Sequence, residues 1–295
     1  MNYCKLSPEH KGLWSVHLAI LLLGGTGLFA QLVELPALDI TFYRCAIAAI
    51  LLWAVLLFSQ QRIRLVSKKD IAPMLFLAVL VVSHWVTYFY AMQWSSVAMG
   101  MIALYTYPVI TVLIEPAITK KPLQRADLVC ATVVFFGIVI MLPHDSQDAN
   151  LVAGLLLGVL SALLFAGRNL LYKYKLSHYN GPQTMFYQVV NGALMLLPFF
   201  FQGISGNGLP PLHDAYLLIL LGTVFTALPH ALLVTSLRHL AAKSVALIAC
   251  LQPLYGLLFA AVVLAEIPTW QTLAGGALVL SGTLYETLKP AKNMP

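Results

Sequence analysis

Again and again this chain runs apolar for about 20 residues, and no other feature limits its fold so tightly. A helix needs roughly 20 apolar residues to cross a hydrocarbon core of about 30 Å. Ten stretches qualify: 13–32, 38–58, 71–93, 95–117, 126–142, 151–172, 183–202, 214–236, 243–264 and 270–288. The fifth is short and extends into flanking polar residues. In lipid the backbone must satisfy its own hydrogen bonds, so runs of this kind form helices. Of the 295 residues 60% are hydrophobic and 9% charged, whereas a soluble domain carries about 25% charge. So few charges cannot clothe a surface of this size in water. The fold class expected is therefore an all-α polytopic membrane protein with ten transmembrane helices. Lys5 and Lys11 precede the first run as they would in a signal peptide, but nine more runs follow, so an uncleaved first span is expected.

The basic residues set the orientation. Lys5 and Lys11, then Arg62, Arg64, Lys68 and Lys69, fall at the N-terminus and in the second loop. Lys120, Lys121 and Arg125 follow in the fourth, Lys173 and Lys175 in the sixth, Arg238 and Lys243 in the eighth, and Lys289 and Lys292 at the C-terminus. The other two of the 17, Arg44 and Arg168, lie inside spans. The alternate loops hold Glu34, Asp145, Asp148 and Glu266 and no basic residue. Lys and Arg are retained on the cytoplasmic side during insertion, so both termini are expected there. The net charge of +6 is thus a topology signal, and no nucleic-acid partner is expected.

The chain also echoes itself at a spacing of 145 residues. Gln252-Pro253 answers Tyr107-Pro108, Glu266 falls where Lys121 fell, and Gly282 where Gly137 fell. Phe42-Tyr43-Arg44 resembles Phe186-Tyr187-Gln188, and Leu28-Phe29-Ala30 resembles Leu164-Phe165-Ala166. Five spans followed by five related spans force the second set to insert upside down, giving two inverted five-helix repeats. The expected division is a cytoplasmic N-terminus (1–12), a first repeat (13–142), an external linker (143–150), a second repeat (151–288) and a cytoplasmic tail (289–295). Inverted repeats are the architecture of secondary transporters, with the site at mid-membrane between the halves.

These landmarks carry a family resemblance. Asp39-Ile40-Thr41-Phe42-Tyr43-Arg44 opens the second span, and Tyr90-Ala91-Met92-Gln93-Trp94-Ser95-Ser96 leads into Tyr107-Pro108. In the second half Leu237-Arg238-His239-Leu240 leads into Gln252-Pro253, followed by Leu264-Ala265-Glu266-Ile267-Pro268 and Gly275-Gly276. Over residues 13 to 288 the chain resembles the drug/metabolite transporter superfamily, EamA type. The resemblance implies a bacterial inner-membrane protein that exports amino acids, metabolites or drug-like compounds. It also implies a cavity lined by spans one, three, four, six, eight and nine. One departure stands out: Ala265 replaces the glycine of a Gly-Glu pair. Glu266 is expected to be structural.

Candidate pathway residues come from polar groups inside apolar runs. His84 and His230 occupy equivalent spans; His84 shares a helix face with Tyr88 and His230 with Thr226 and Thr223, and either histidine could carry a proton. Each is alternatively a packing residue. Pro108 and Pro253 are candidate hinges, because proline frees the carbonyl four residues back, Leu104 and Ala249 respectively. Tyr107, Gln252 and Tyr255 line the same two spans, with Ser244 on the stripe of the second. Asn169 and Asn191 are further polar candidates. Arg44 needs a partner; Glu34 and Asp39 are nearby, and a substrate contact is the alternative. Glu115 and Arg168 could pair as a cytoplasmic gate, or Arg168 could snorkel. Gly24-Gly25-Thr26-Gly27 permits close packing or a hinge, and Gly154, Gly158 and Ala162 form a small-residue stripe.

No phosphate-cradling loop, zinc-protease motif or nucleophile elbow occurs. No enzyme activity, cofactor or metal is expected, and the four cysteines read as packing residues. The partners expected are a small-molecule substrate, the bilayer and, if transport is coupled, protons through His84, His230 or Glu115. The chain is expected as a monomer or homodimer. Rival functions are a lipid or lipid-linked substrate carrier and a non-transporting receptor or scaffold.

Overall fold

The computed structural model describes residues 8–59, 65–120, 125–141, 149–207, 209–237, 248–249 and 251–288. All regular structure among them is helical. α1 (Pro8–Gly25) continues through a 3-10 turn (Thr26–Leu28) into α2 (Phe29–Leu32). There follow α3 (Ala37–Phe58), α4 (Ile71–Trp94), α5 (Val97–Leu104), α6 (Tyr107–Thr119) and α7 (Arg125–Met141). α8 (Ala149–Leu171) ends in a π-helical turn (Tyr172–Leu176) and precedes α9 (Gly181–Asn207). α10 (Leu212–Gly222) passes through a second π-helical turn (Thr223–Ala227) into α11 (Leu228–Leu237), and α12 (Gln252–Val263) and α13 (Trp270–Leu288) complete the bundle.

Among the described residues, seven helical stretches are long and apolar enough to cross a membrane: His10–Leu32, Ala37–Phe58, Lys68–Trp94, Val97–Ile118, Asn150–Leu176, Gly181–Gln202 and Leu212–Leu233. Leu128–Met141 and Gln252–Val263 are apolar but shorter. Of the ten expected spans, seven are thus seen at membrane length. The start of the ninth, with Ser244, lies outside the described residues, as do Lys121, most of the 143–150 linker, residues 1–7 and the 289–295 tail. Large apolar side chains such as Trp14, Ile50, Phe58, Phe76 and Val262 cover the outer surface. An apolar exterior on this scale is a surface for lipid.

Three helices begin where a side chain meets a free backbone donor. Ser96 Oγ accepts from Met99 N–H (3.0 Å) at the start of α5, Asn180 Oδ1 from Gln183 N–H (2.8 Å) at α9, and Thr269 Oγ1 from Thr272 N–H (3.2 Å) at α13. Two ends share an unusual backbone. Lys120 after α6 and Ala265 after α12 have φ of 56° and 53°, the positive-φ non-glycine residues of the described chain. They stand 145 residues apart, so the spacing read from side chains recurs in the main chain. At Ala265 the left-handed step turns the chain back, and Glu266 N–H reaches the Ala260 carbonyl (3.2 Å). A glycine would take this conformation without strain.

α4 lies on α8 and α1 on α11; α4 also meets α9, while α3 meets α10. α5 and α6 flank α8 as α12 flanks α1; α3 packs on α9, α5 on α12 and α7 on α13, and α6 also meets α7 and α13. Small residues let these backbones approach. A Cβ on Gly158 would stand 2.6 Å from Ala103 Cβ, and one on Gly24 would stand 2.7 Å from Tyr255 Cβ. The glycine run of the first span and the small stripe of the sixth are therefore both contact surfaces. The first span also tightens there into a 3-10 turn at Thr26–Leu28.

Candidate functional site

The fourth span does more than kink. α5 stops at Leu104, Tyr105 and Thr106 form a turn, and α6 starts afresh at Tyr107 with Pro108 as its second residue. Proline at the start of a helix forfeits a donor that would go unused there anyway. In the ninth span Pro253 is likewise the second residue of α12. The Ala249 carbonyl, which a fourth-residue donor would have taken, accepts instead from the Tyr105 hydroxyl at 2.5 Å. The same hydroxyl lies 3.0 Å from Gln252 Oε1, and Gln252 Nε2 donates to the Leu23 carbonyl at 3.4 Å. Spans four, nine and one therefore meet through one polar knot beside both helix breaks.

A second polar group centres on α4. His84 is 4% exposed, with Nδ1 3.1 Å from the Ser161 carbonyl and 2.7 Å from Ser161 Oγ. A carbonyl only accepts, so Nδ1 carries the proton. Ser161 Oγ donates in turn to the His84 carbonyl (3.0 Å). Nε2 is left as the acceptor of a neutral imidazole. His230, half-buried on α11, repeats the arrangement, its Nδ1 2.7 Å from the Thr226 carbonyl. The two rings do not touch each other: His84 packs on Phe165 (4.8 Å) and near Tyr88 (6.0 Å), His230 against Trp85 (6.1 Å).

Arg44 reaches the same place from α3. It is 2% exposed, its Nε donates to Thr226 Oγ1 at 2.7 Å, and its guanidinium lies 4.0 Å over the Trp85 ring. The expected pairing with Glu34 or Asp39 does not form: the ion pairs among the described residues are Lys173–Glu115 and His178–Asp70. Asp39 sits five positions back, about 140° around the helix, so it points elsewhere. Thr226 belongs to the π-helical turn in the eighth span. Such turns shift side chains off the regular helical stripe and are frequent at functional sites. Thr26 from the first span donates to the Phe225 carbonyl of that turn at 3.3 Å.

Arg168 does not reach Glu115. Its Nε donates to Gln188 Oε1 (3.1 Å), its Nη1 to Asn169 Oδ1 (3.0 Å), and Phe165 lies 5.9 Å away. Gln188 is the counterpart of Arg44 in the Phe-Tyr-x echo. Glu115 instead takes Lys173 at 2.5 Å and the Tyr174 hydroxyl, both in the turn after α8. Tyr107 joins the His84 group through Phe165 (4.8 Å). Tyr255 packs with Val16, Ile20 and Leu233 on α1 and α11. Asn191 donates to the Tyr187 carbonyl on its own helix (2.7 Å).

At the opposite end of the bundle Glu266 closes on the start of α5. Its two carboxylate oxygens accept from Val97 N–H and Ala98 N–H, each at 3.1 Å. A carboxylate at a helix N-terminus is favoured by the unpaired donors and the helix dipole. The residue expected to be structural is thus a capping group, held in place by the Ala265 turn.

Sequence reasoning placed Thr226 on the face of His230 but not against Arg44, and it missed Ser161, Trp85 and Tyr105; Tyr105 alone of these carried a signal, in the Tyr105-Thr106-Tyr107-Pro108 interruption of the fourth apolar run. No group of three or more metal-ligating side chains converges among the described residues.

Comparison with known proteins agrees with this architecture. A solved crystal structure superposes with a TM-score of 0.67 over 97% of this chain and 100% of its own, at 15% identity, which shows a shared fold. An uncharacterized transporter, YxxF, of Bacillus subtilis (strain 168) is 24% identical over 276 residues, 90% of this chain and 86% of that protein. The pseudopaline exporter CntI of Pseudomonas aeruginosa (strain UCBPP-PA14) is 25% identical over 247 residues, covering 83% and 84%. A probable amino-acid metabolite efflux pump of Salmonella typhimurium is 24% identical over 182 residues, covering 58% and 61%. The model of the EamA-like transporter family matches residues 10–142 and 152–286, and the chain belongs to that family.

Proposed function

We propose that this protein exports small metabolites by alternating access between two inverted five-span halves, with both termini on the cytoplasmic side of a bacterial inner membrane. One observation carries the reading: four polar contacts inside the bundle cross from one half of the sequence to the other. Arg44 bonds Thr226, His84 bonds Ser161, Tyr105 bonds the Ala249 carbonyl, and Thr26 bonds the Phe225 carbonyl. Polar, exchangeable bonds are what a seam needs if it is to open and close.

Three further features support it. Exchanging spans for their counterparts 145 residues away maps several packing pairs onto one another: α4–α8 onto α11–α1, α4–α9 onto α10–α3, and α5–α8 onto α12–α1. The broken fourth span supplies irregular backbone at mid-depth, as transporter sites require. Contacts between loops also join segments that the charge pattern assigns to one side: Glu115 with Lys173, and Asp70 with His178, among the basic loops; Glu266 with Val97 among the others. Those two sets are the natural gates. Glu115–Lys173 closes the cytoplasmic side and Glu266–α5 the outer side. His84 and His230, each with Nδ1 committed to a carbonyl, keep Nε2 for substrate or a coupled proton.

The relatives named as an exporter and as an efflux pump favour export, and the latter's name favours amino-acid metabolites. Counterflow in proteoliposomes tests the proposal. Vesicles preloaded with a metabolite panel should accumulate one labelled member against empty and protein-free controls, at two pH values to reveal proton coupling. Gln252→Ala should insert normally and lose most of that uptake. Absence of uptake for every panel member, with correctly inserted protein, contradicts the transporter mechanism.

A further inference from the structure

Arg44 brings a positive charge into the bundle without a counter-ion among the described residues. Its Nε is spent on Thr226 and one face of the guanidinium rests on Trp85, yet its Nη1 is buried with no hydrogen-bond partner. The neighbouring α4 presents a second such group, the hydroxyl of Tyr88, also buried and also unpartnered. Both side chains are well over nine-tenths buried, at 2% and 4% exposure. Leaving a charged donor unmatched at this depth is costly, and no described ion pair involves Arg44. Arg168, the other arginine inside a span, bonds neutral amides in place of a carboxylate.

Two fixed donors, one of them charged, specify what fits. The guanidinium is immobilised by Thr226 and the indole, so little freedom is lost when its remaining edge is used. A carboxylate offers two oxygens in one plane, one for Nη1 and one for the phenol. A phosphate would bring more charge than a single guanidinium neutralises and more acceptors than two donors satisfy. The surroundings are aromatic, with Trp85 beneath the guanidinium and Phe89 5.7 Å from it.

We propose that Arg44 Nη1 and the Tyr88 hydroxyl form the recognition site for the carboxylate of an organic anion with an apolar or aromatic body. This rests on the transporter reading above and names the substrate class of that site. Thr226 and Trp85 are positioning residues. Because Thr226 comes from the other half, a carboxylate on Arg44 binds at the seam and is placed to report its occupancy to both halves.

The test is equilibrium binding to the full chain in lipid nanodiscs, which needs no transport. The probes are acetate, phenylacetate and N-acetylphenylalaninate, each against its own amide, with phenyl phosphate as a further anion. At least one carboxylate should bind about tenfold or more tightly than its amide, the difference a charge-assisted hydrogen bond makes. Arg44→Gln should weaken that carboxylate about tenfold or more; glutamine is the residue at the equivalent place in the second half. Tyr88→Phe keeps the ring and should weaken it about fivefold. The proposal is overturned if no carboxylate outbinds its amide, if phenyl phosphate is preferred, or if affinity is unchanged in Tyr88→Phe. That last variant decides the matter should Arg44→Gln fail to fold. Counterflow without any carboxylate preference would remove this site and leave the transporter; carboxylate binding without counterflow would do the reverse.

Discussion

Replacing Glu266 by glutamine should open the outer side of the protein. The carboxylate takes two main-chain donors, Val97 N–H and Ala98 N–H, at 3.1 Å each. Glutamine keeps one acceptor oxygen and loses the charge. The loss is one hydrogen bond to a charged group plus the dipole attraction, about 1–2 kcal/mol together. If this contact exists in the outer-closed state alone, the whole loss moves the equilibrium toward the outer-open state, by about 5- to 30-fold. Ala98 is fully buried beneath the cap, so a cysteine there reports the opening. In a background lacking the four native cysteines, Ala98→Cys should react with an impermeant maleimide from the outside faster by that factor once Glu266→Gln is added. The opposite gate provides the contrast. Lys173 is 61% exposed in its pair with Glu115, and such surface pairs contribute about 0–1 kcal/mol. Glu115→Gln should therefore shift the equilibrium less than about fivefold, in the other direction. Equal labelling rates with and without Glu266→Gln would show that the cap is not a gate.

Two further substitutions probe the local geometry. Tyr105→Phe leaves the Ala249 carbonyl without its donor at the Pro253 break and should lower unfolding free energy in detergent by about 1 kcal/mol; unchanged stability would mean the carbonyl finds another partner at no cost. Ala265→Gly relieves a φ of 53°, worth about 1–2 kcal/mol, against a glycine entropy cost of about 0.5–1 kcal/mol. Stability should stay equal or rise by up to about 1 kcal/mol, and a loss on thermal denaturation would show that the turn is not strained.

What the sequence made legible was the part written in composition and period. Apolar run length marks which segments are helices, because it depends on the solvent. The 145-residue echo survived in residue types and again in the backbone at Lys120 and Ala265. The departure at Ala265 was visible, and the left-handed turn shows why a glycine would suit that place. Partner choice was not legible. Arg44 was matched with acids near it in the chain, whereas its bond is to Thr226, 182 residues away. That bond depends on a π-helical turn, which leaves no mark in hydrophobic period. Tyr107 drew notice beside its proline, yet the carbonyl freed by the other proline went to Tyr105. Two positions on a helix differ by about 200°, and only packing decides which one faces the seam. Glu115 and Arg168 lie near the same end of the bundle, but the turn after α8 brings Lys173 and Tyr174 to Glu115 first.

The central claim is that the two halves pivot about a polar seam, so that one side opens as the other closes. Paired spin-label distances measure this directly in nanodiscs. One pair, at Trp94 and Ile267, spans the Glu266 side, and another, at Ile118 and Lys175, spans the Glu115 side; all four residues are exposed. On addition of a transported compound the two distance distributions should shift in opposite senses. Distances that lengthen together, or that stay fixed while counterflow proceeds, would contradict the pivot.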